Sequence, residues 1–270
     1  MNDCSYHMTF KIRAAIANRD LRTVKRLAAT CPAILHHDTP HQWPVIHECI
    51  SGNCVDLELM ELFISSGGDV NRKTESGVSL AYLAAVHCEG SEVERALRNS
   101  GASLTDYEAA VVTITTNSED DGKMLIPKIR KLLDRTTDLR DQVGDRGFSL
   151  LHHAINSLMF DLVPLLLDYK FDPNKKTFLG QTPLGMCSSV SAPDGQVCRD
   201  LLLRFGATQT DQEQLAALIV ARKNAEAIKA LKKSPLLMHS YIPRSGYPLH
   251  IAAQFDRDST LVEYLLSHRV

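Results

Sequence analysis

The sequence predicts an all-α protein, a solenoid of about eight helix-pair repeats. Glycines recur at a fixed interval, since the turn glycines Gly147 and Gly180 are 33 residues apart and so are the helix-ending glycines Gly68 and Gly101. Between these glycines, apolar residues lie three and four positions apart, which is the pattern of a helix with one buried stripe. An interval near 33 residues is typical of arrays in which each repeat stacks on the next one.

Two motifs recur in a constant order within this interval. A turn followed by a first helix is seen as Thr-Pro-Leu at 182–184 and as Pro-Leu-His-Ile-Ala-Ala at 248–253. A second helix that ends in glycine is seen as Leu-Phe-Ile-Ser-Ser-Gly-Gly-Asp-Val-Asn at 62–71. These motifs resemble those of the ankyrin repeat family, and the resemblance covers nearly the whole chain. It implies two short antiparallel helices per repeat and a loop that leads to the next repeat.

We interpret residues 1–270 as a single ankyrin-repeat domain with eight repeats at about 9–37, 42–73, 76–105, 106–141, 145–175, 178–209, 211–235 and 244–270. The first, fourth and seventh repeats lack the turn motif and keep only the helical spacing of apolar residues. Pro127 and Pro164 lie near the start of predicted second helices, where the first turn tolerates a proline. Gly67, Gly101 and Gly206 are expected to end second helices in the left-handed conformation.

Composition excludes several classes of protein. The formal net charge is −2 for 270 residues, so the chain lacks the basic surplus of a general nucleic-acid binder. No apolar run is long enough to span a bilayer, and the first residues do not resemble a secretory signal. Seven thinly spread cysteines predict free thiols in a reducing compartment. We therefore expect an intracellular protein, cytoplasmic or nuclear, without membrane insertion.

The resemblance implies that the chain binds a protein rather than catalyses a reaction. Ankyrin repeats generally contact partners through the concave face of the stack, so we expect an adaptor or inhibitor with one or more protein partners, no cofactor and no nucleic-acid partner. An effector of a pathogen or virus that captures a host protein is an alternative use of the same fold. The family also uses a turn histidine structurally, and His47, His152 and His250 occupy that position.

Partner contacts are expected on loop tips and on the exposed sides of first helices. The candidate residues there are Arg72, Lys73, Glu75, Arg146, Phe148, His153, Asn156, Lys175, Lys176, Phe178, Gln181 and Tyr247. Phe148, Phe178 and Tyr247 are aromatic where the family usually has polar residues, and aromatic and arginine side chains dominate binding hot spots. The alternative is that these rings pack against neighbouring loops.

A metal site near the N-terminus, or an enzyme built on the repeats, is the alternative of a different class. Histidines and cysteines, which zinc prefers, cluster at His36, His37, His41, His47, Cys49 and Cys54. Their spacing matches no standard zinc finger, and His47 and Cys49 have structural places in the second repeat. We therefore predict no metal ligands and no catalytic residues.

Overall fold

The computed structural model describes residues 6–36, 43–51, 56–116, 125–187, 193–242 and 246–268. Within these ranges the regular structure consists of α-helices and short 3-10 turns, with two isolated β-bridges and no β-strand. The chain divides into two compact units, Met1–Asp121 with Pro127–Leu139 and Gly122–Ile126 with Arg140–Val270. The predicted all-α class is confirmed, and the grouping of eight repeats into one domain stays a prediction.

In the first unit, helices are stacked side by side in two rows. First helices contact first helices (α1 with α3, α3 with α5, α5 with α7), and second helices contact second helices (α2 with α4, α4 with α6). Each repeat therefore covers the apolar face of its neighbour, as stacked repeats do. The helices are α1 (Tyr6–Ala17), α2 (Leu21–Thr30), α3 (Val45–Ser51), α4 (Leu57–Ser65), α5 (Leu80–His87), α6 (Glu92–Asn99), α7 (Asp106–Thr116) and, from Pro127 on, α8 (Leu125–Arg135).

The second unit is built of similar helix pairs. Helices of one pair contact each other, first helices contact first helices (α9 with α11, α13 with α15), and α14 contacts α16. Its helices are α9 (Leu150–Asn156), α10 (Leu162–Asp168), α11 (Pro183–Cys187), α12 (Pro193–Arg204), α13 (Asp211–Val220), α14 (Asn224–Lys233), α15 (Pro248–Phe255) and α16 (Thr260–Ser267). The fourth and seventh repeats, which lack the turn motif in sequence, thus keep their helices (α7, α8, α13 and α14).

Buried apolar side chains form clusters that extend over several successive repeats. One cluster of buried side chains extends from Ile12 to Ala102 in the first unit, with Phe63 among its largest members. Another extends from Leu215 to Leu265 in the second unit. Burying one such side chain stabilises the fold by about 1.5–3 kcal/mol. Each repeat is therefore stabilised by burying apolar side chains against the repeats next to it in the sequence.

The predicted helix ends are confirmed. Gly67, Gly101 and Gly206 have φ values of 80°, 89° and 87°, which a side chain with a Cβ adopts only at a cost. Lys170 occupies the same position after α10 with a φ of 66°, so this repeat ends in a strained residue. Pro164 is the third residue of α10, where no backbone donor is lost from the helix.

The cysteines depart from the expectation at one position. Cys49, Cys88, Cys187 and Cys198 are buried and are not disulfide-bonded, as predicted. Cys31 is disulfide-bonded, so the expectation of free thiols is wrong there. Cys4 and Cys54 lie outside the described residues.

Candidate protein-binding surface

The turn before α9 is held by His152, which joins two repeats. Its Nδ1 accepts a hydrogen bond from the Ser149 backbone N–H at 3.2 Å, so Nε2 carries the proton and donates to the Gln181 carbonyl oxygen at 3.4 Å. Burial lowers the pKa of His152 to about 4, so the ring is neutral at pH 7. His47 makes the same forward contact, from Nε2 to the Arg72 carbonyl oxygen at 3.2 Å. Both histidines are structural, as the resemblance implies.

His250 differs from these two histidines. Its side chain is exposed, and its ring lies 5.7 Å from the ring of Tyr247. Tyr247 in turn contacts Tyr241 edge to face at 5.6 Å and is 44% exposed. Tyr247, a predicted partner contact, therefore belongs to an aromatic group that is packed and still accessible.

Two glutamates that were not among the predicted residues connect a repeat to the one before it, whereas the histidines connect a repeat to the one after it. Glu213 Oε2 accepts from the Thr210 N–H at 2.9 Å, which caps α13, and Oε1 accepts from the Thr182 N–H at 3.1 Å and hydroxyl at 2.6 Å. Glu108 does the same, from the start of α7 back to the Ser79 N–H at 3.1 Å. Each glutamate is the third helical residue after a threonine. This Thr-x-x-Glu capping box is the signal that could have found both.

A glutamate is used where the preceding repeat lacks the turn histidine. The histidine position of the repeat before Glu213 is occupied by Gly185, and that of the repeat before Glu108 by Tyr82. A Cβ built on Gly185 would overlap the Glu213 carboxylate, so this glycine provides the space for the glutamate. At these two junctions, the contact from a turn histidine to the following repeat is thus replaced by a contact from a glutamate carboxylate to the preceding repeat.

Loops between repeats are joined by two asparagines. The Asn71 Nδ2 donates to the Gly101 carbonyl oxygen at 3.0 Å, and its Oδ1 accepts from the Ser103 N–H at 3.1 Å. The Asn174 Nδ2 donates to the Gly206 carbonyl oxygen at 2.9 Å, and its Oδ1 accepts from the Thr208 N–H at 2.7 Å. Each amide uses both of its ends to fix the spacing of two loops.

Two exposed apolar side chains lie next to each other in the turn before α11. Phe178 is 73% exposed and Leu179 is 64% exposed. The Phe178 N–H donates to the Arg146 carbonyl oxygen at 2.9 Å, and a Cβ on Gly147 would lie 2.8 Å from the Phe178 ring. The ring thus rests on the backbone of the preceding turn while most of its surface faces solvent. Leu179 was not among the predicted residues.

Three basic residues accompany this apolar pair. Arg146 and Lys176 are exposed, and Lys175 is half-buried. Arg146 also has a φ of 61°, so the turn presents it in a left-handed conformation. We call Arg146, Lys175, Lys176, Phe178 and Leu179 the turn-tip surface.

Four other predicted contact residues of this unit differ in exposure. Phe148 is half-buried, with its ring 5.4 Å from that of His153 and 5.6 Å from that of His152. Burial lowers the pKa of His153 to about 4, with a contribution from His152, so His153 is neutral at pH 7. Gln181 is buried and its backbone N–H donates to the Thr177 hydroxyl at 3.1 Å, and its contact with a partner stays a prediction. Asn156 is exposed at the end of α9.

The predicted residues of the first unit form a separate set. Arg72 is half-buried, and Lys73 and Glu75 are exposed. The Lys73 ammonium lies 3.9 Å from the Glu108 carboxylate, so it neutralises a buried acid. Lys73 therefore has a structural role beside any partner contact.

No metal centre is found in the part of the chain that the structure describes, where no three histidine, cysteine or acidic side chains come together. His47 and Cys49 are buried in α3. Of the other predicted candidates, His37, His41 and Cys54 lie outside the described residues, and so does the side chain of His36. None of the described helices has the length and apolarity needed to cross a membrane.

Comparison with known proteins yields similarity at the level of structure only. No protein-family model matches the sequence, and no curated protein matches it. The chain is similar to a chain in the structure of the Bd0816 predatory endopeptidase from Bdellovibrio bacteriovorus in complex with immunity protein Bd3460, with 16% identity, a TM-score of 0.40, and coverage of 72% of this chain and 96% of that one. It is also similar to the ankyrin repeat domain of Bcl-3, with 19% identity, a TM-score of 0.35, and coverage of 95% and 97%.

The class of the protein follows from its own architecture. Paired helices are stacked side by side within each unit, glycines end the second helices, and turn histidines connect one repeat to the next. These features define the fold as that of ankyrin-type repeats.

Proposed function

We propose that the chain is an adaptor or inhibitor that binds a protein partner through the turn-tip surface, on the face that is concave in ankyrin stacks. One observation carries the proposal. Phe178 and Leu179 are adjacent, mostly exposed and flanked by Arg146 and Lys176. Single exposed apolar residues are common, but two adjacent ones at the tip of a hydrogen-bonded turn form an exposed apolar patch.

The chemistry of this surface favours an acidic partner with an apolar anchor. Aromatic and arginine side chains are over-represented in binding hot spots, and basic groups at the rim steer an acidic partner into place. The turn beneath is rigid, because Gly147 supports the Phe178 ring and Phe178 is bonded to Arg146. A rigid surface loses little entropy on binding. As part of this proposal, the protein binds its partner inside the cell, in the cytoplasm or the nucleus.

The test compares a double variant of the turn-tip surface with a control that carries the same Leu→Asp change elsewhere. The double variant Lys176→Glu, Leu179→Asp removes one of the two exposed apolar side chains and reverses a charge, both at exposed positions, so its unfolding temperature should stay near that of the wild type. Leu236→Asp is the matched control, because Leu236 is 87% exposed in the 3-10 turn Pro235–His239. Proteins retained by immobilised wild type and by the control, but not by the double variant, are then purified.

The affinity of a purified partner is measured by titration calorimetry at two salt concentrations. We expect a loss of about tenfold or more for the double variant, equivalent to about 1.4 kcal/mol. Binding should also weaken with salt. Equal retention by the double variant and the wild type would contradict the assignment of this surface, as would an equal loss in the Leu236→Asp control.

A further inference from the structure

Two free thiols are placed together in the core of the second unit. Cys187 ends α11 and Cys198 lies in the middle of α12, and each is only 2% exposed. Their Sγ atoms are 2.9 Å apart, so one thiol hydrogen-bonds to the other. Neither residue belongs to the turn-tip surface or to the turn network, and apolar packing alone does not require two sulfurs in contact.

We propose that Cys187 and Cys198 form a reversible oxidation site, in which a hydroperoxide converts the two thiols into a disulfide that links α11 to α12. The sulfurs need to approach by less than 1 Å to reach the disulfide bond length of about 2.05 Å. The helices already contact each other, so the bond forms within one repeat without a rearrangement of the stack.

The two thiols are unequal, which sets the order of events. The hydrogen bond between them raises the pKa of Cys187, which burial raises further, and lowers the pKa of Cys198. Cys198 has the lower pKa of the two thiols and therefore reacts first, because the thiolate is the nucleophilic form. Cys187 is the resolving thiol.

The reaction balances with hydrogen peroxide as the oxidant. The Cys198 thiolate attacks one peroxide oxygen, the S–O bond forms, the O–O bond breaks, and the departing hydroxide takes a proton to become water. The Cys187 sulfur then attacks the Cys198 sulfenic acid, the S–S bond forms, the S–O bond breaks, and a second water leaves with the Cys187 proton. Two thiols and one peroxide thus give one disulfide and two waters, and a dithiol reductant reverses the change.

Burial determines the rate and the consequence. Peroxide reaches the thiols when the α11–α12 pair opens locally, so oxidation is slower than at an exposed cysteine. Once formed, the disulfide closes a loop of 11 residues and suppresses that opening. The unfolding temperature of the oxidised protein should rise by roughly 5–10 °C.

The experiment uses the full chain and peptide mapping. Both cysteines lie on one tryptic peptide, residues 177–199, because no lysine or arginine occurs between Lys176 and Arg199. The protein is treated with hydrogen peroxide, alkylated under denaturing conditions and digested without reductant. We expect this peptide to be lighter by two hydrogens and free of alkyl groups, and to accept two alkyl groups after treatment with dithiothreitol.

Variants separate this site from general oxidation. Cys88→Ser is the matched control, since Cys88 is a free, buried thiol whose pKa is raised by burial, and its loss should leave the linked peptide unchanged. In Cys187→Ser, Cys198 should stop at the sulfenic acid and react with a cyclic diketone trap. The proposal is overturned if the wild-type peptide 177–199 still takes two alkyl groups after Cys88 has been oxidised, or if Cys198 becomes a sulfinic acid without a link. The wild-type result stands by itself if the Cys187→Ser variant does not fold.

Discussion

Replacing Glu213 by alanine should destabilise the second unit through a neighbouring repeat. Glu213 lies on α13, but two of its hydrogen bonds go to Thr182 at the start of α11. Thr182 is 1% exposed, so without the carboxylate its N–H remains buried and unpaired. A buried donor without an acceptor costs about 1–3 kcal/mol, and a hydrogen bond to a charged group contributes about 1.5–3 kcal/mol.

The total loss is smaller than the sum of these terms. The Thr182 hydroxyl still accepts from the Gly185 N–H at 3.1 Å, and the Thr210 N–H can be solvated at the helix end. We therefore expect the free energy of unfolding to fall by about 2–4 kcal/mol in Glu213→Ala. Glu213→Gln keeps one acceptor oxygen and should lose less.

Gly185 makes this prediction specific, because the effect of Gly185→Ala on the free energy of unfolding should have opposite signs in the wild type and in Glu213→Ala. In the wild type a Cβ at Gly185 overlaps the Glu213 carboxylate and displaces it from Thr182, so Gly185→Ala is destabilising. In Glu213→Ala the space is empty, and alanine in a helix is favoured over glycine by about 0.5–1 kcal/mol. Urea unfolding of the four proteins, followed by circular dichroism, gives the coupling energy of a double-mutant cycle.

The reasoning is refuted if Gly185→Ala costs the same in both backgrounds, because the carboxylate would then not occupy the space over the glycine. Hydrogen exchange of the Thr182 N–H provides a local measurement in the same variants. Its protection should fall in Glu213→Ala, whereas protection in the Val163–Leu167 part of α10 should change less.

Three further predictions concern the turns and loops. Below a pH of about 6.5 the unfolded chain binds protons that the buried His152 and His153 do not. The free energy of unfolding should therefore fall as the pH is lowered toward 4, by about 2 kcal/mol per histidine at pH 5. His153→Leu should remove about half of this pH dependence in urea titrations, and an unchanged slope would contradict the burial argument. Asn174→Asp should lower stability by about 1–2 kcal/mol in thermal unfolding, because an oxygen replaces the donor to Gly206, and a neutral effect would show that the loop bond carries little energy. Lys170→Gly should raise stability by about 0.5–1 kcal/mol by relieving its left-handed backbone, and a decrease would show that the Lys170 side chain contributes more than the strain costs.

Local patterns in the chain suffice for the helices and their ends. The three-and-four spacing, the interval between glycines and the prolines at 127 and 164 predict where helices begin and end, because each depends on residues a few positions apart. The structural roles of His47 and His152 also follow from a motif that recurs in sequence. The Glu108 and Glu213 capping boxes were visible in the same way, although their contacts with the preceding repeats were not.

The candidate surface was predictable only in part. Phe148 and Phe178 occupy neighbouring turns and have the same residue type, yet one ring packs on two histidines and the other faces solvent. Gln181 is polar in sequence and buried in the fold. The exposure of a turn side chain depends on which residues of the next repeat pack against it. No short sequence pattern encodes that packing.

The sequence by itself determined the class of fold, because a repeat buries its apolar stripe only against a neighbour of the same kind, and this requirement appears as periodicity along the chain. Tertiary structure alone decided which groups meet and which stay exposed: the Glu213 carboxylate over Gly185, the two thiols at 2.9 Å, and the exposed pair at Phe178 and Leu179. Such contacts depend on the angle and distance between packed helices, which many side chains set together.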